Sequence, residues 1–497
     1  MIGRSPPAAA ILLSLLFAVL AGCAPGLQTR SPAAAPHALT GALQPLLADT
    51  ALEHAHWGLL VRSLSTGETL FSHNGDRLFV PASNMKLITG ATVLETLGAD
   101  YRYRTEISGA GPVSQGVLRG PLVVRGFGDP TISERFSADP LDRFRMFADS
   151  LRARGISRVT GGIIGVDSAF VDGPLGAGWA WDDVISSYAS EFGALQFNEG
   201  AVSLTVVPSQ RTGEAAVVIL NPAIQYVSVT NQTVTTTAGA PTRINVARDA
   251  TGPGLIVTGQ IGAGSDFFRR DVSIRNPTLF YLSAMRETLR EAGVIIEGPV
   301  MDADDLDAED QSVRRSTPLF TYRSPPLREV LPGMMKPSQN WIAETMLRSA
   351  GLEQRGEGSA RAGAAVADSL FDAWRLPPNR RIADGSGLSR YNLMSPALVT
   401  GLLIRMANSA EREVWEASLP IAGVDGTLAR RMVGTPLQGN VQAKTGTLSG
   451  VRALSGYLTT RSGERVVFSA MVNNHVRSAA AADLIIDAVL LQIYEMR

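Results

Sequence analysis

The 497-residue sequence predicts an α+β fold: one antiparallel sheet built from both ends of the chain, flanked by helices and interrupted by a long nested insertion. Three observations predict it. Helix and hairpin signals occur at both ends of the chain, so the two ends have matching character and pair economically. About 255 residues separate Ser83 from Ser338, far more than one helical subdomain needs at ordinary connection lengths. Within that gap the pattern changes from α/β alternation to a run rich in Val, Thr and Ile, broken by Gly, Pro and Asn.

The elements follow in order. Arg4 precedes an apolar stretch, Ala8 to Ala21, too short to span a bilayer and of the size of a signal-peptide core. It ends Leu20-Ala21-Gly22-Cys23, similar to the bacterial lipoprotein box, and Cys23 is the sole cysteine. No internal disulfide can form, and Cys23 is the expected lipidation site, with acyl chains holding the protein to a membrane. Residues 1–22 are then a lipoprotein signal peptide and 23–38 a tether.

Leu39, Leu43, Leu46 and Leu47 recur at helical spacing, and Pro45 is expected to open the helix proper, running towards His54. Runs from Trp57 to Arg62 and from Glu68 to Ser72, joined by Ser65-Thr66-Gly67, predict a hairpin. Pro81-Ala82-Ser83 opens a helix that runs to about Leu97 and stops at Gly98. Leu118 to Arg125, Arg158 to Val166 and the helical Pro140 to Arg154 predict an α/β unit; Leu195 to Ile261 predicts an all-β module. Helix returns at Pro277 to Ala292, and the acidic run Asp302 to Asp310 is read as a solvated loop. Val441 to Thr459 and Arg465 to Asn473 read as strands around a Ser462-Gly463 turn, and Ala479 to Tyr494 as an amphipathic closing helix. The expected division is 39–98 with 285–497, an inserted α/β domain of 99–194 with 262–284, and a nested β-rich domain of 195–261.

Composition excludes some function classes. A net charge of -1 gives no reason to expect nucleic acid as a partner. Gly126-Phe127-Gly128 lacks the third glycine and the helix start of a nucleotide loop. His37, His54, His56, His73 and His475 show no zinc spacing, so no metal site is expected.

Only three of the 45 basic residues other than histidine are lysines, and each stands in a short motif. Arginine is effectively always charged, whereas a buried lysine can lose its proton and act as a base. The motifs are Ser83-Asn84-Met85-Lys86, Lys336-Pro337-Ser338-Gln339-Asn340 and Lys444-Thr445-Gly446-Thr447. Ser83 and Lys86 are three apart, so on a helix the amine reaches the hydroxyl. Burial and a second ammonium, Lys444, would lower the Lys86 pKa enough for it to take the serine proton. The N–H groups of Ser83 and Thr447 are the candidate oxyanion donors, the first at a helix start and the second on an edge strand. The glycine at 446 lets backbone approach a substrate, and the Thr445 and Thr447 hydroxyls with the Lys444 charge are suited to a terminal carboxylate. Ser338 and Asn340 converge only in a loop, which Pro337 supplies; Ser338 is placed to relay a proton to a departing amine and Asn340 to bind a substrate amide. Lys336 contributes charge near the cleft.

In that order the motifs are similar to the Ser-x-x-Lys, Ser-x-Asn and Lys-Thr-Gly elements of the penicillin-recognising serine enzymes. With Gly128-Asp129-Pro130-Thr131, Asp167-Ser168-Ala169-Phe170, Gly178-Trp179-Ala180-Trp181-Asp182-Asp183 and Asp384-Gly385-Ser386-Gly387-Leu388-Ser389-Arg390, the chain resembles the low-molecular-mass class C penicillin-binding proteins, the D-alanyl-D-alanine carboxypeptidase/endopeptidase family of serine peptidases, from about residue 40 to its end. Gln339 departs from the family, which often has aspartate there. The resemblance implies a transpeptidase/β-lactamase-like catalytic domain interrupted by nested insertions, and a periplasmic or envelope location. It implies that Ser83 attacks the penultimate D-Ala carbonyl of a peptidoglycan stem peptide or cross-link, that β-lactams are covalent inhibitors, and that no cofactor takes part. A β-lactamase shares the motifs, but this chain is about twice as long and lacks a glutamate motif of the class A kind. A catalytically idle cell-wall-binding lipoprotein is the other alternative.

Overall fold

The computed structural model describes residues 34–496 apart from 50, 51, 53, 251, 308 and 309, with side chains described from residue 39 on. The signal-peptide reading and Cys23 lie outside the described residues. Five strands form the terminal sheet, in the order Gln442–Leu448, Val451–Thr459, Arg465–Asn473, His56–Ser63 and Thr69–His73, every pair antiparallel. The last strands of the chain thus hydrogen-bond to the first.

Side chains alternate across a strand, and this sheet uses both faces. Leu454 and Leu458 pack on one side with Leu39, Leu43, Ile486 and Leu490 of the two terminal helices, Ala34–Leu47 and Ala479–Tyr494. Ala453 and Tyr457 pack on the other, into a helical core. At its centre is the helix Met85–Leu97, buried from Met85 to Leu94 and stopped by Gly98 at φ 80°. The helices Leu327–Met335, Asn340–Arg355 and Pro396–Ala407 surround it.

The inserted α/β part has its own five-stranded sheet, in the order Val300–Asp302, Ile163–Val166, Leu122–Gly126, Arg104–Gly109 and Thr317–Arg323. The first two pairings are parallel and the last two antiparallel. Two three-stranded β-sheets follow, one formed by Val217–Asn221, Ala201–Val207 and Phe268–Ser273, the other by Val229–Thr236, Leu255–Gly262 and Arg243–Arg248. A single apolar core runs from Phe144 and Phe280 of the α/β part to Val246 and Val257 of the β-rich part.

Four expectations are corrected. Pro45 stands in the last turn of the helix Ala34–Leu47 and does not open it, so residues 34–38 of the expected tether are helical. A proline inside a helix costs roughly 3 kcal/mol, and burial of Leu39 and Leu43 offsets that at about 1.5–3 kcal/mol each. The run from Val441 to Thr459 is two strands, because Gly450 at φ 71° turns the chain back on itself. The return to the terminal domain comes later than residue 285: Val300–Asp302 and Thr317–Arg323 pair into the inserted sheet, and Phe268–Ser273 extends the β-rich part beyond Ile261. These strands are short or lie at sheet edges, so their hydrophobic alternation is weak. Asp302 ends a strand and is buried, so the acidic run is not wholly a solvated loop.

Candidate active site

Ser83 sits in a single 3-10 turn, Ala82–Asn84, that leads into the helix Met85–Leu97. Ala82 has φ 47°, a left-handed conformation that costs an L-residue about 1–2 kcal/mol. The surroundings hold it there. Val80 exchanges two hydrogen bonds with the Asn473 side chain of the last sheet strand, at 2.7 and 3.1 Å. Asn84 Nδ2 donates to the Lys444 carbonyl at 3.0 Å. A β-carbon on Gly446 would stand 2.6 Å from the Pro81 carbonyl oxygen. Gly446 therefore lets the edge strand approach the nucleophile turn.

Lys86 is fully buried. Its Nζ lies 3.0 Å from Ser83 Oγ, 2.6 Å from Asn340 Oδ1 and 2.7 Å from the Ser386 carbonyl. A neutral amine has two N–H groups and one lone pair. With the N–H groups given to Asn340 and Ser386, both acceptors, the lone pair is left for the Ser83 hydroxyl. Burial lowers the Lys86 pKa to about 7, against the pull of the Asp384 and Glu344 carboxylates.

Lys444 is also fully buried, and its Nζ donates to Ser338 Oγ at 2.8 Å and to the Thr445 carbonyl at 3.1 Å. Its pKa is pushed well below the ordinary lysine value, first by burial and then by Lys86. For both lysines burial is the first cause, and at Lys444 the neighbouring Lys86 adds to it. Thr445 and Thr447 line the cleft; Lys444 lies beneath it and meets it through Ser338.

The second motif converges as its loop requires. Ser338 has φ 66°, and Gln339 caps the helix Asn340–Arg355 by accepting from the Trp341 N–H at 3.0 Å. The Gln339 amide also donates to Glu199, and Asn340 Nδ2 donates to the Tyr188 carbonyl at 2.8 Å. The inserted part therefore braces this loop through two contacts. Lys336 is salt-bridged to Asp425 and does not line the cleft.

The cleft has a volume of about 820 Å3 and is lined by Ser83, Ser338, Asn340, Thr445 and Thr447. Asp182, Asp183 and Tyr188 of the insertion and Arg390 form further parts of its wall. Sequence reasoning gave these no role, and it also missed the Ser386 carbonyl and the buried carboxylates Asp384 and Glu344. Asp384 accepts from the N–H groups of Gly387 and Ser389 and from Trp179 Nε1. The glycines of Asp384-Gly385-Ser386-Gly387 carried the available signal, a tight loop pressed against other backbone.

Among the described residues, one carboxylate cluster could hold a cation: Asp167, Asp302 and Asp304, with oxygens within 4.8 Å of one another. It borders a separate cavity of about 680 Å3 that shares no lining residue with the cleft.

Residues 39–492 match the D-Ala-D-Ala carboxypeptidase 3 (S13) family. The chain is 34% identical to a D-alanyl-D-alanine carboxypeptidase of Actinomadura sp. (strain R39), covering 99% of this chain and 91% of that protein. It is 26% identical to D-alanyl-D-alanine carboxypeptidase DacB of Haemophilus influenzae, over 85% of this chain and 86% of that one. The fold is similar to the crystal structure of penicillin binding protein 4 (dacB) from Haemophilus influenzae, with a TM-score of 0.78 and 24% identity, over 92% of this chain and 99% of that one. The chain belongs to the D-Ala-D-Ala carboxypeptidase 3 (S13) family of serine peptidases.

Proposed function

We propose that this protein hydrolyses peptidoglycan stem peptides ending in D-Ala-D-Ala, or their cross-links, through an acyl-enzyme on Ser83. The observation that carries this reading is the buried Lys86 amine, 3.0 Å from Ser83 Oγ with both its N–H groups provided with acceptors.

Lys86 takes the hydroxyl proton as Ser83 Oγ bonds to the penultimate D-Ala carbonyl carbon. The N–H groups of Ser83 and Thr447 hold the oxyanion, and the Thr445 and Thr447 hydroxyls hold the terminal carboxylate. Ser338 gives its proton to the departing amine and is resupplied by Lys444, which donates to it. Water then cleaves the ester: its oxygen bonds to the acyl carbon as its proton passes to the Ser338–Lys444 pair, and the released Ser83 oxygen takes back its proton from Lys86. No cofactor enters these steps. β-Lactams acylate the same serine.

Wild type should bind fluorescent penicillin covalently and release D-alanine from a D-Ala-D-Ala peptide, and Ser83→Ala should do neither. Identical behaviour of the two proteins would sink the reading in favour of an idle scaffold. Rapid turnover of nitrocefin, in place of a long-lived acyl-enzyme, would favour a β-lactamase. Mass spectrometry of digested muropeptides separates loss of one D-alanine from cleavage of dimers.

We also propose an envelope location with lipid at Cys23. Among the described residues no helix is long and apolar enough to cross a membrane. A radioactive fatty acid should label wild type and not Cys23→Ala; equal labelling excludes the anchor.

A further inference from the structure

Glu344 is fully buried on the helix Asn340–Arg355, one turn beyond Asn340. Its Oε1 accepts from the Gly385 N–H at 3.1 Å and the Ser386 N–H at 2.9 Å. The carbonyl of that same Ser386 accepts from Lys86 at 2.7 Å. Glu344 Oε2 pairs with Arg348 at 2.8 Å, and Arg348 makes a two-pronged contact with Asp172 of the insertion at 2.8 and 2.9 Å. The Arg348 guanidinium also lies over the Phe192 ring, 3.9 Å from its centre. An unbroken set of charged contacts therefore runs from the insertion to the backbone that touches Lys86.

We propose that Glu344 is a positioning residue for acylation: through the Gly385-Ser386 backbone it holds the Ser386 carbonyl against Lys86, and Arg348 and Asp172 tie that carbonyl to the inserted domain. The proposal rests on Lys86 being the base. A carbonyl fixed at this place takes one N–H of the amine and so aims its lone pair at Ser83; with Asn340 alone as acceptor the amine could rotate. The charged groups that face Lys86 come from three elements. Glu344 comes from the helix Asn340–Arg355, Asp384 from the loop after Ala383, and Lys444 from the edge strand. The two carboxylates favour the protonated amine and Lys444 opposes it. Arg348 moderates Glu344 from the far side.

The experiment is the rate of acylation by fluorescent penicillin across pH 5–9 in the full chain, with a thermal melt for each variant. Glu344→Gln keeps an acceptor for the two N–H groups and loses the charge. The acidic limb of its profile should move to lower pH, as the base becomes weaker, while the plateau stays within about threefold of wild type because the carbonyl is still held. Glu344→Asp keeps the charge and withdraws the acceptor, so its plateau should fall while the limb stays near that of wild type. Glu344→Asp that melts cooperatively and matches wild type in plateau overturns the proposal. Should that variant not fold, Asp172→Asn, at a half-exposed position, decides: a plateau reduced at least threefold is expected, and an unchanged one overturns it. If Lys86→Arg is acylated at the wild-type rate, the base assignment itself fails; if it is inert and Glu344→Asp is silent, only this inference does.

Discussion

A β-carbon placed on Gly387 would stand 1.8 Å from the carbonyl oxygen of Ala82, the residue before the nucleophile. Gly387 has φ 87° and belongs to the loop whose Ser386 carbonyl meets Lys86. One loop therefore both presses on the nucleophile turn and contacts the base. Gly387→Ala should displace both, lowering penicillin acylation at least tenfold and the melting temperature together. Acylation within twofold of wild type would show that the turn tolerates displacement.

Lys86→Arg should abolish acylation, a loss of about 10²-fold or more, because a guanidinium does not give up its proton. Lys336→Arg should keep substantial activity, since its partner is Asp425 and arginine pairs with a carboxylate equally well. Stopped-flow acylation of the two variants beside wild type distinguishes them.

Acylation should rise with pH through about 7, as Lys86 loses its proton. Stability carries the same signature. The unfolded lysine titrates near 10.5 and the folded one near 7, so between these values the unfolded chain holds the proton more firmly. The resulting destabilisation is full below pH 7 and is relieved as pH rises towards 10.5. Lys444, also depressed, acts in the same direction. Relative to Lys86→Met, wild type should therefore gain melting temperature between pH 7 and 10, which calorimetry can measure; a parallel or opposite trend would contradict the burial argument.

Ser338 combines a chemical group with an unfavourable backbone at φ 66°. Ser338→Gly and Ser338→Ala should both lose about 10²-fold or more in D-alanine release, because the proton relay is gone. Ser338→Gly should nevertheless be the more stable by about 1 kcal/mol, since glycine takes a left-handed φ without strain. Denaturant titration of the pair tests the order.

The short-range features were legible in the sequence: Ser83 at a helix start, the strand carrying Lys444, and a loop at Ser338 all follow from local spacing. Glu344 was not. It lies inside an amphipathic helix where a glutamate reads as a solvated residue, whereas here Gly385 packs against Ala343 and Leu347 and the N–H groups of Gly385 and Ser386 meet its carboxylate. Tyr188 and Glu199 escaped for a related reason, as they reach the site from the insertion across more than a hundred residues of sequence. The approach of Gly446 to Pro81 was not legible either, because local sequence does not show that the two face each other.

The bonds between Val80 and Asn473 join positions 393 residues apart. Translation delivers Ser83 and Lys86 early, but the asparagine that clamps the approach to their turn comes only with the last sheet strand. Long-range closure of this kind is slow compared with local helix formation. A growing chain therefore assembles its nucleophile turn only once its final hairpin docks, so the catalytic serine is set in place by the last part of the chain to be made.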